Sequence, residues 1–164
     1  MNYNIRPMTE KDWERVSEIY LQGIESNLAT FQTEIPTYES WDSSHLKDFR
    51  FIVETNNRVI GWVALSPVSS RCVYKGVAEV SIYVDQETQN KGIGKLLLNH
   101  ICNDSEKNGI WTLQSGIMQN NIASIKLHEA CGFRMVGYRE SIAKDRFGVW
   151  RNTVLMERRS KEYL

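Results

Sequence analysis

The stretch from Val77 to Leu98 constrains the chain most, because an alternating strand runs there into a glycine loop and then into a helix. In VAEVSIYV (Val77 to Val84), Glu79, Ser81 and Tyr83 share one face of a strand, and Val80, Ile82 and Val84 take the other. The loop DQETQNKGIGK follows, and Ile93, Leu96, Leu97 and Ile101 then recur at the spacing of a helix of about fifteen residues. Glycines at such a junction let backbone N–H groups approach an anion, and the helix N-terminus adds partial positive charge. Lys91 and Lys95 add more. Gln89, Asn90, Lys91, Gly92, Ile93, Gly94 and Lys95 are therefore candidates for cradling a pyrophosphate, the alternative being glycines that serve only a tight turn. A dinucleotide fingerprint fails because Leu97 stands where the third glycine belongs. A P-loop fails because Gln89 stands five before Gly94 and Leu96 follows Lys95.

Around this unit the pattern predicts a short strand at Tyr3–Arg6 and a helix capped by Thr9, with Asp12 in its first turn and Trp13, Val16, Ile19, Tyr20 and Ile24 in register. Residues 27–37 read as a loop, and 38–48 as a short helix with Tyr38, Trp41 and His45 on one side. Phe49–Glu54 and Arg58–Leu65 read as a hairpin about the Asn56-Asn57 turn. Residues 66–76 connect to the central strand. Trp111–Ile117 follows as a strand, then a helix over Asn121–Cys131 stopped by Gly132, then strands near 133–144 and 149–158 about a turn at Asp145–Gly148. The order β-α-α-β-β-β-α-β-α-β-β implies an α/β (α+β) chain with a mixed sheet and helices on its faces. No repeat or linker divides it, so residues 1–164 are expected to form a single domain.

Composition narrows the function classes. Twenty Lys+Arg balance twenty Asp+Glu, which disfavours a nucleic-acid binder or a polybasic membrane-surface protein. No apolar run reaches the roughly 20 residues of a membrane helix, and MNYNIRPMTEKDW lacks a signal-peptide core. Cys72, Cys102 and Cys131 are odd in number and widely spaced, which suits reduced thiols in the cytoplasm. His45, His100 and His128 show no metal-ligand spacing, so no metal is expected.

The segment V-S-I-Y-V-D…Q-N-K-G-I-G-K-L-L-L resembles motif A of the GCN5-related N-acetyltransferases (GNAT), and Asn121–Phe133 (NIASIKLHEACGF) resembles their motif B. A-T-F-Q-T-E (Ala29 to Glu34), A-E-V-S-I-Y-V (Ala78 to Val84), N-x-x-S-x-x-L-H-E (Asn121 to Glu129) and G-V-W-R (Gly148 to Arg151) are similar to the phosphinothricin acetyltransferase subfamily. The resemblance spans essentially the whole chain. It implies the GNAT fold, a mixed, mostly antiparallel central sheet of about seven strands flanked by about four helices. It also implies acetyl-CoA as cosubstrate and a small amine acceptor of the phosphinothricin, methionine sulfone or methionine sulfoximine type, acetylated on its α-amino group. A homodimer in a bacterial cytoplasm is implied as well.

Acetyl transfer needs a neutral amine, a polarised thioester carbonyl, a leaving thiolate and alignment of the two substrates. Glu79 is the candidate base, acting directly or through a water, and the resemblance gives it the same role. A mid-strand carboxylate is expected to be buried, which would raise its pKa; otherwise it faces solvent or holds an ion pair. The resemblance places main-chain groups near Ile82, Tyr83 and Val84 against the pantetheine and acetyl carbonyl. Asn121, Ser124 and His128 fall on one narrow helix face suited to CoA contact, while Ala123, Leu127 and Ala130 should face the core. Asn121 would alternatively be only an N-cap. Many family members carry a Tyr near the position of His128; here, as in the subfamily, it is His, able to protonate the thiolate, relay a proton from the amine, or simply pack. Arg71 and Tyr74 lie where the subfamily binds its acceptor, and an arginine fork suits a carboxylate or phosphinate. Phe31 and Thr33 would wall that pocket, with Trp150 and Arg151 as further candidates, Trp150 alternatively being core. The subfamily's frequent second Arg is missing, since Cys72 and Val73 follow Arg71. Competing readings are another acceptor (a polyamine, an aminoglycoside or a protein N-terminus) and a non-catalytic CoA-binding module.

Overall fold

Along the chain come β1 (Asn4–Pro7), α1 (Trp13–Ser26), α2 (Tyr38–Ser44), β2 (Arg50–Thr55), β3 (Arg58–Pro67), β4 (Val77–Val84), α3 (Ile93–Lys107), β5 (Thr112–Met118), α4 (Ile122–Ala130), β6 (Arg134–Lys144) and β7 (Trp150–Arg159). The computed structural model describes residues 2–163, so Met1 and Leu164 of the expected domain lie outside the described residues. The strands form a seven-stranded sheet in the order β1-β2-β3-β4-β5-β7-β6. Neighbours are antiparallel except β4 and β5, which are parallel. The described residues form the expected mixed sheet with four flanking helices.

Local chemistry sets the joints. Asn56 and Asn57 both take left-handed backbone (φ 50 and 60), the geometry of a tight hairpin turn. A 3-10 turn at Glu10–Asp12 precedes α1, and Asp12 accepts the Thr9 N–H at 2.8 Å. Two 2.8 Å bonds from Arg6 hold the same carboxylate well below its ordinary pKa. The helix expected to reach residue 48 stops at Ser44. Beyond it the chain is captured by the sheet: Leu46 N–H donates to the Leu65 carbonyl at 2.8 Å. The buried Arg50 guanidinium takes the Asp42 and His45 carbonyls at 3.1 and 3.0 Å, so the helix end is closed by a strand residue.

Both faces of the sheet are covered. Ile52, Trp62 and Ala64 pack with Val16 and Ile19 of α1 and Trp41 of α2. Phe51, Val53, Val63, Leu65 and Val80 pack with Leu97, Leu98 and Ile101 of α3. At the far edge, β6 exposes Met135, Val136, Tyr138 and Ile142.

Candidate active site

The parallel ladder between β4 and β5 joins only Val77–Glu79 to Thr112–Gln114. Past Glu79 and Gln114 the strands are no longer paired, and two adjoining cavities of about 510 and 580 Å³ open at this fork. Both are walled by Leu28, Ala29, Ile82, Tyr83, Asn121 and Ser124. Phe31, Glu79, Ser81, Ser115 and His128 are among the residues that further line the first. Val84, Gln89, Asn90, Gly92, Ile93, Gly94 and Lys95 line the second. Lys91, exposed on the same loop, is outside that lining.

The loop cavity suits an anion. Gly92 caps α3 in left-handed backbone (φ 79), and the first turn of α3 holds no acidic residue. First-turn amides have no partner within their own helix, and here they border the cavity with Lys95. A Cβ on Gly94 would lie 3.1 Å from Leu127 Cδ2, so glycine lets α3 start close against α4. The buried Asp85 braces the loop from behind. It pairs with Arg15, accepts from Gln22 Nε2 at 3.2 Å and from the Glu87 N–H at 3.2 Å, and donates its own N–H to the Ile60 carbonyl at 2.8 Å. Burial alone would raise its pKa; these donors and Arg58 more than offset that, and the carboxylate stays charged.

Glu79 sits at the fork apex and is exposed, not buried as its mid-strand position suggested. β5 leaves β4 just there, so the carboxylate opens into the cleft and accepts from Gln114 Nε2 at 3.4 Å.

His128 is only 1% exposed. Its Nδ1 lies 2.7 Å from the Ser124 carbonyl, its Nε2 lies 2.9 Å from Ser115 Oγ, and its ring meets the edge of Phe133. Burial lowers its pKa, so the ring is neutral near pH 7. This reverses part of the expected facing of α4, since Ala123 and Ala130 are exposed while His128 points inward. Ser124 is half-buried and lines both cavities. Asn121 does two jobs: Oδ1 accepts the Ser124 N–H at 3.2 Å as an N-cap, and Nδ2 donates to the Leu28 carbonyl at 3.2 Å. The 27–37 loop is thereby latched over the fork.

Tyr83 stacks on Trp62 with ring centroids 4.9 Å apart, and burial pushes its hydroxyl pKa up. Of the expected acceptor group, Phe31 lines the first cavity, whereas Thr33, Arg71 and Tyr74 are exposed outside it. The Arg71 guanidinium lies over the Tyr74 ring at 5.6 Å. Trp150 is exposed rather than core, with Lys144 over its ring, and Arg151 pairs with the buried Asp145 at 2.7 Å. Ser115 and Asp85 were not singled out by sequence. The signal for Ser115 was its place between Leu113 and Ile117 on an inward face of β5. Among the described residues, no three or more His, Cys, Asp or Glu side chains group so as to hold a metal ion. Among the described residues, no helix is long and apolar enough to cross a membrane.

The sequence model of the Acetyltransferase (GNAT) family matches residues 12–133. Phosphinothricin N-acetyltransferase of Streptomyces coelicolor is 32% identical over 145 residues, covering 83% of this chain and 85% of that protein. A GNAT superfamily phosphinothricin acetyltransferase from Sinorhizobium meliloti, solved in complex with acetyl-CoA, is 25% identical with TM-score 0.88, covering 99% of this chain and 90% of the other. The ribosomal-protein-alanine N-acetyltransferase from Brucella melitensis is 26% identical with TM-score 0.89, covering 96% and 99%.

Proposed function

The chain belongs to the acetyltransferase (GNAT) family, and on that premise we propose that it moves the acetyl group of acetyl-CoA directly to the α-amino group of a small amino-acid-like acceptor, of the phosphinothricin, methionine sulfone or methionine sulfoximine type. One observation carries the reading: the fork at Glu79 and Gln114 joins a cavity ending on a helix N-terminus to a cavity holding a carboxylate.

Gln89 to Lys95 hold the pyrophosphate through backbone amides and the Lys95 charge. Main-chain groups of Ile82, Tyr83 and Val84, freed where β5 departs, align the pantetheine and polarise the acetyl carbonyl. Asn121 and Ser124 border it from α4. Glu79 takes a proton from the acceptor's ammonium, directly or through one water, leaving a nucleophilic amine. His128 manages the proton that ends on sulfur. Phe31 walls the acceptor, with Thr33 on the same loop outside the cavity, and Arg71 with Tyr74 engages its carboxylate. Neither Lys nor Arg lines the Glu79 cavity, so that anion needs a cation from outside it. A homodimer through the apolar β6 edge is part of the same proposal, since a long exposed edge strand invites pairing. A cytoplasmic setting fits two buried free cysteines, Cys102 and Cys131.

A second reading, an N-terminal peptide acceptor, is favoured by the likeness to the Brucella enzyme. Thiol release from acetyl-CoA separates the two. Turnover with phosphinothricin, methionine sulfone or methionine sulfoximine supports the first; turnover only with an alanine-ended peptide supports the second. In either case Glu79→Gln should cut kcat about 100-fold while acetyl-CoA affinity holds. An undiminished kcat removes Glu79 as the base.

A further inference from the structure

We propose that Ser115 is a catalytic residue: its hydroxyl is the group through which His128 exchanges a proton with the attacking amine and the departing sulfur. The proposal rests on the acetyl-transfer reading above.

The hydrogen-bond directions are fixed by chemistry. A carbonyl oxygen can only accept, so the 2.7 Å contact with the Ser124 carbonyl requires the hydrogen on Nδ1. In the neutral ring Nε2 is then a bare acceptor, and the Ser115 hydroxyl donates to it at 2.9 Å. The Ser124 hydroxyl is farther from Nδ1, at 3.5 Å. His128 borders the Glu79 cavity but is only 1% exposed, and with Nδ1 committed its free nitrogen, Nε2, reaches the cleft through Ser115 Oγ.

Ser115 is placed to use that route. It lines the Glu79 cavity one residue past Gln114, where β5 has just left β4. Leu113 and Ile117, two residues either side, pack in the core beneath α3 and α4. Glu79 shares the opposite face with Tyr83, which stacks on Trp62 beneath α1 and α2. The base and the serine–histidine pair thus flank the fork from opposite faces of the sheet.

The proton balance closes without an outside reagent. After Glu79 has neutralised the ammonium, the amine nitrogen forms a bond to the acetyl carbon and becomes positively charged, as the carbonyl π pair moves onto oxygen to give an oxyanion. One of its protons passes to Ser115 Oγ as the serine proton passes to Nε2, giving an imidazolium. The oxyanion pair then re-forms the carbonyl as the C–S bond breaks with its electron pair on sulfur. Nε2 returns its proton to Oγ, and the Oγ proton goes to sulfur. Nitrogen and sulfur are carried by the same carbon, so a single hydroxyl can serve both.

Ser115→Ala should lower kcat about 100-fold with both KM values within about twofold, while Ser115→Thr, which keeps the hydroxyl, recovers most of the rate. Adding His128→Gln to Ser115→Ala should cost little more, because the pair acts as a unit. Nitrogen-15 NMR of the resting protein should show His128 protonated on Nδ1. Wild-type kcat in Ser115→Ala, an Nε2-protonated ring, or equal slowing and equal loss of Tm in the Ala and Thr variants would each overturn the relay alone. A wild-type protein that binds acetyl-CoA but acetylates no amine would overturn the acetyl-transfer reading, and the relay with it.

Discussion

Asn27 Nδ2 donates to Asp145 Oδ2 across 3.0 Å, tying the end of α1 to the turn between β6 and β7. Asn27 closes α1 in left-handed backbone (φ 56), and Leu28 to Gln32 next in the chain line the cleft. This hook sets where the acceptor wall begins. Asn27→Gly keeps the backbone conformation and deletes only the amide. The acceptor KM should rise about tenfold, the value of one hydrogen bond. Acetyl-CoA KM should rise less, because Thr30, Phe31 and Gln32 line only the Glu79 cavity. Steady-state kinetics with both substrates varied would show it; an unchanged acceptor KM means the loop holds itself.

Asp145 also makes acid stability predictable. Burial alone would raise its pKa, but the Asn27 amide, the Val149 N–H, Arg151 and the Phe147 N–H more than offset this and hold it well below the usual carboxylate range. In the unfolded chain the carboxyl takes a proton near pH 3.9, whereas in the folded chain it stays ionised to lower pH. The stabilisation is therefore full above about pH 4 and is lost as pH falls from there through the depressed folded value. Tm measured from pH 7 to pH 2 should show the wild type's lead over Asp145→Asn shrinking below about pH 4. A constant lead would mean that the charge of Asp145 contributes nothing.

What sequence could and could not reveal follows from the range of the forces involved. The β4–loop–α3 unit was legible because its period changes from two to 3.6 across glycines, and both signals are local. The end of α2 was not, since Arg50 and Leu65 decide it from the sheet. The facing of α4 was only partly legible, because Ile122, Ile125, Leu127 and Ala130 scatter around the helix and give no single apolar stripe. Glu79 was singled out by its type and place, but its exposure depends on β5 leaving β4 at Gln114, which no residue of β4 announces. Arg151 was noticed as a cation, yet its partner Asp145 lies across a turn whose closure is a tertiary event.

Arg71 is the proposed cation for the acceptor's carboxylate, and it is exposed on the connection that leads into β4, with Tyr74 beneath its guanidinium. Arg71→Ala removes an exposed side chain, so Tm should hold. The acceptor KM should rise about 10- to 100-fold, since a charge-assisted hydrogen bond is worth roughly 1.5–3 kcal/mol. Acetyl-CoA KM should stay within about twofold. The reverse pattern would move Arg71 to the cofactor side; no change in either would remove it from the site.

Gly92 and Gly109 form a matched pair for testing the phosphate loop. They flank α3 at its two ends, with φ of 79 and 95, and a Cβ at either would meet no atom within 4 Å. A side chain at either is therefore resisted by backbone conformation alone, at about 1–2 kcal/mol. Gly92→Val and Gly109→Val should lose stability to a similar degree. Only Gly92 lines the loop cavity, so only Gly92→Val should raise acetyl-CoA KM, by about tenfold if the strain is relieved by shifting the amides off the pyrophosphate. Because stability loss is common to both variants, a difference in KM isolates the loop's role in binding. Equal KM values in the two would show that the pyrophosphate lies elsewhere.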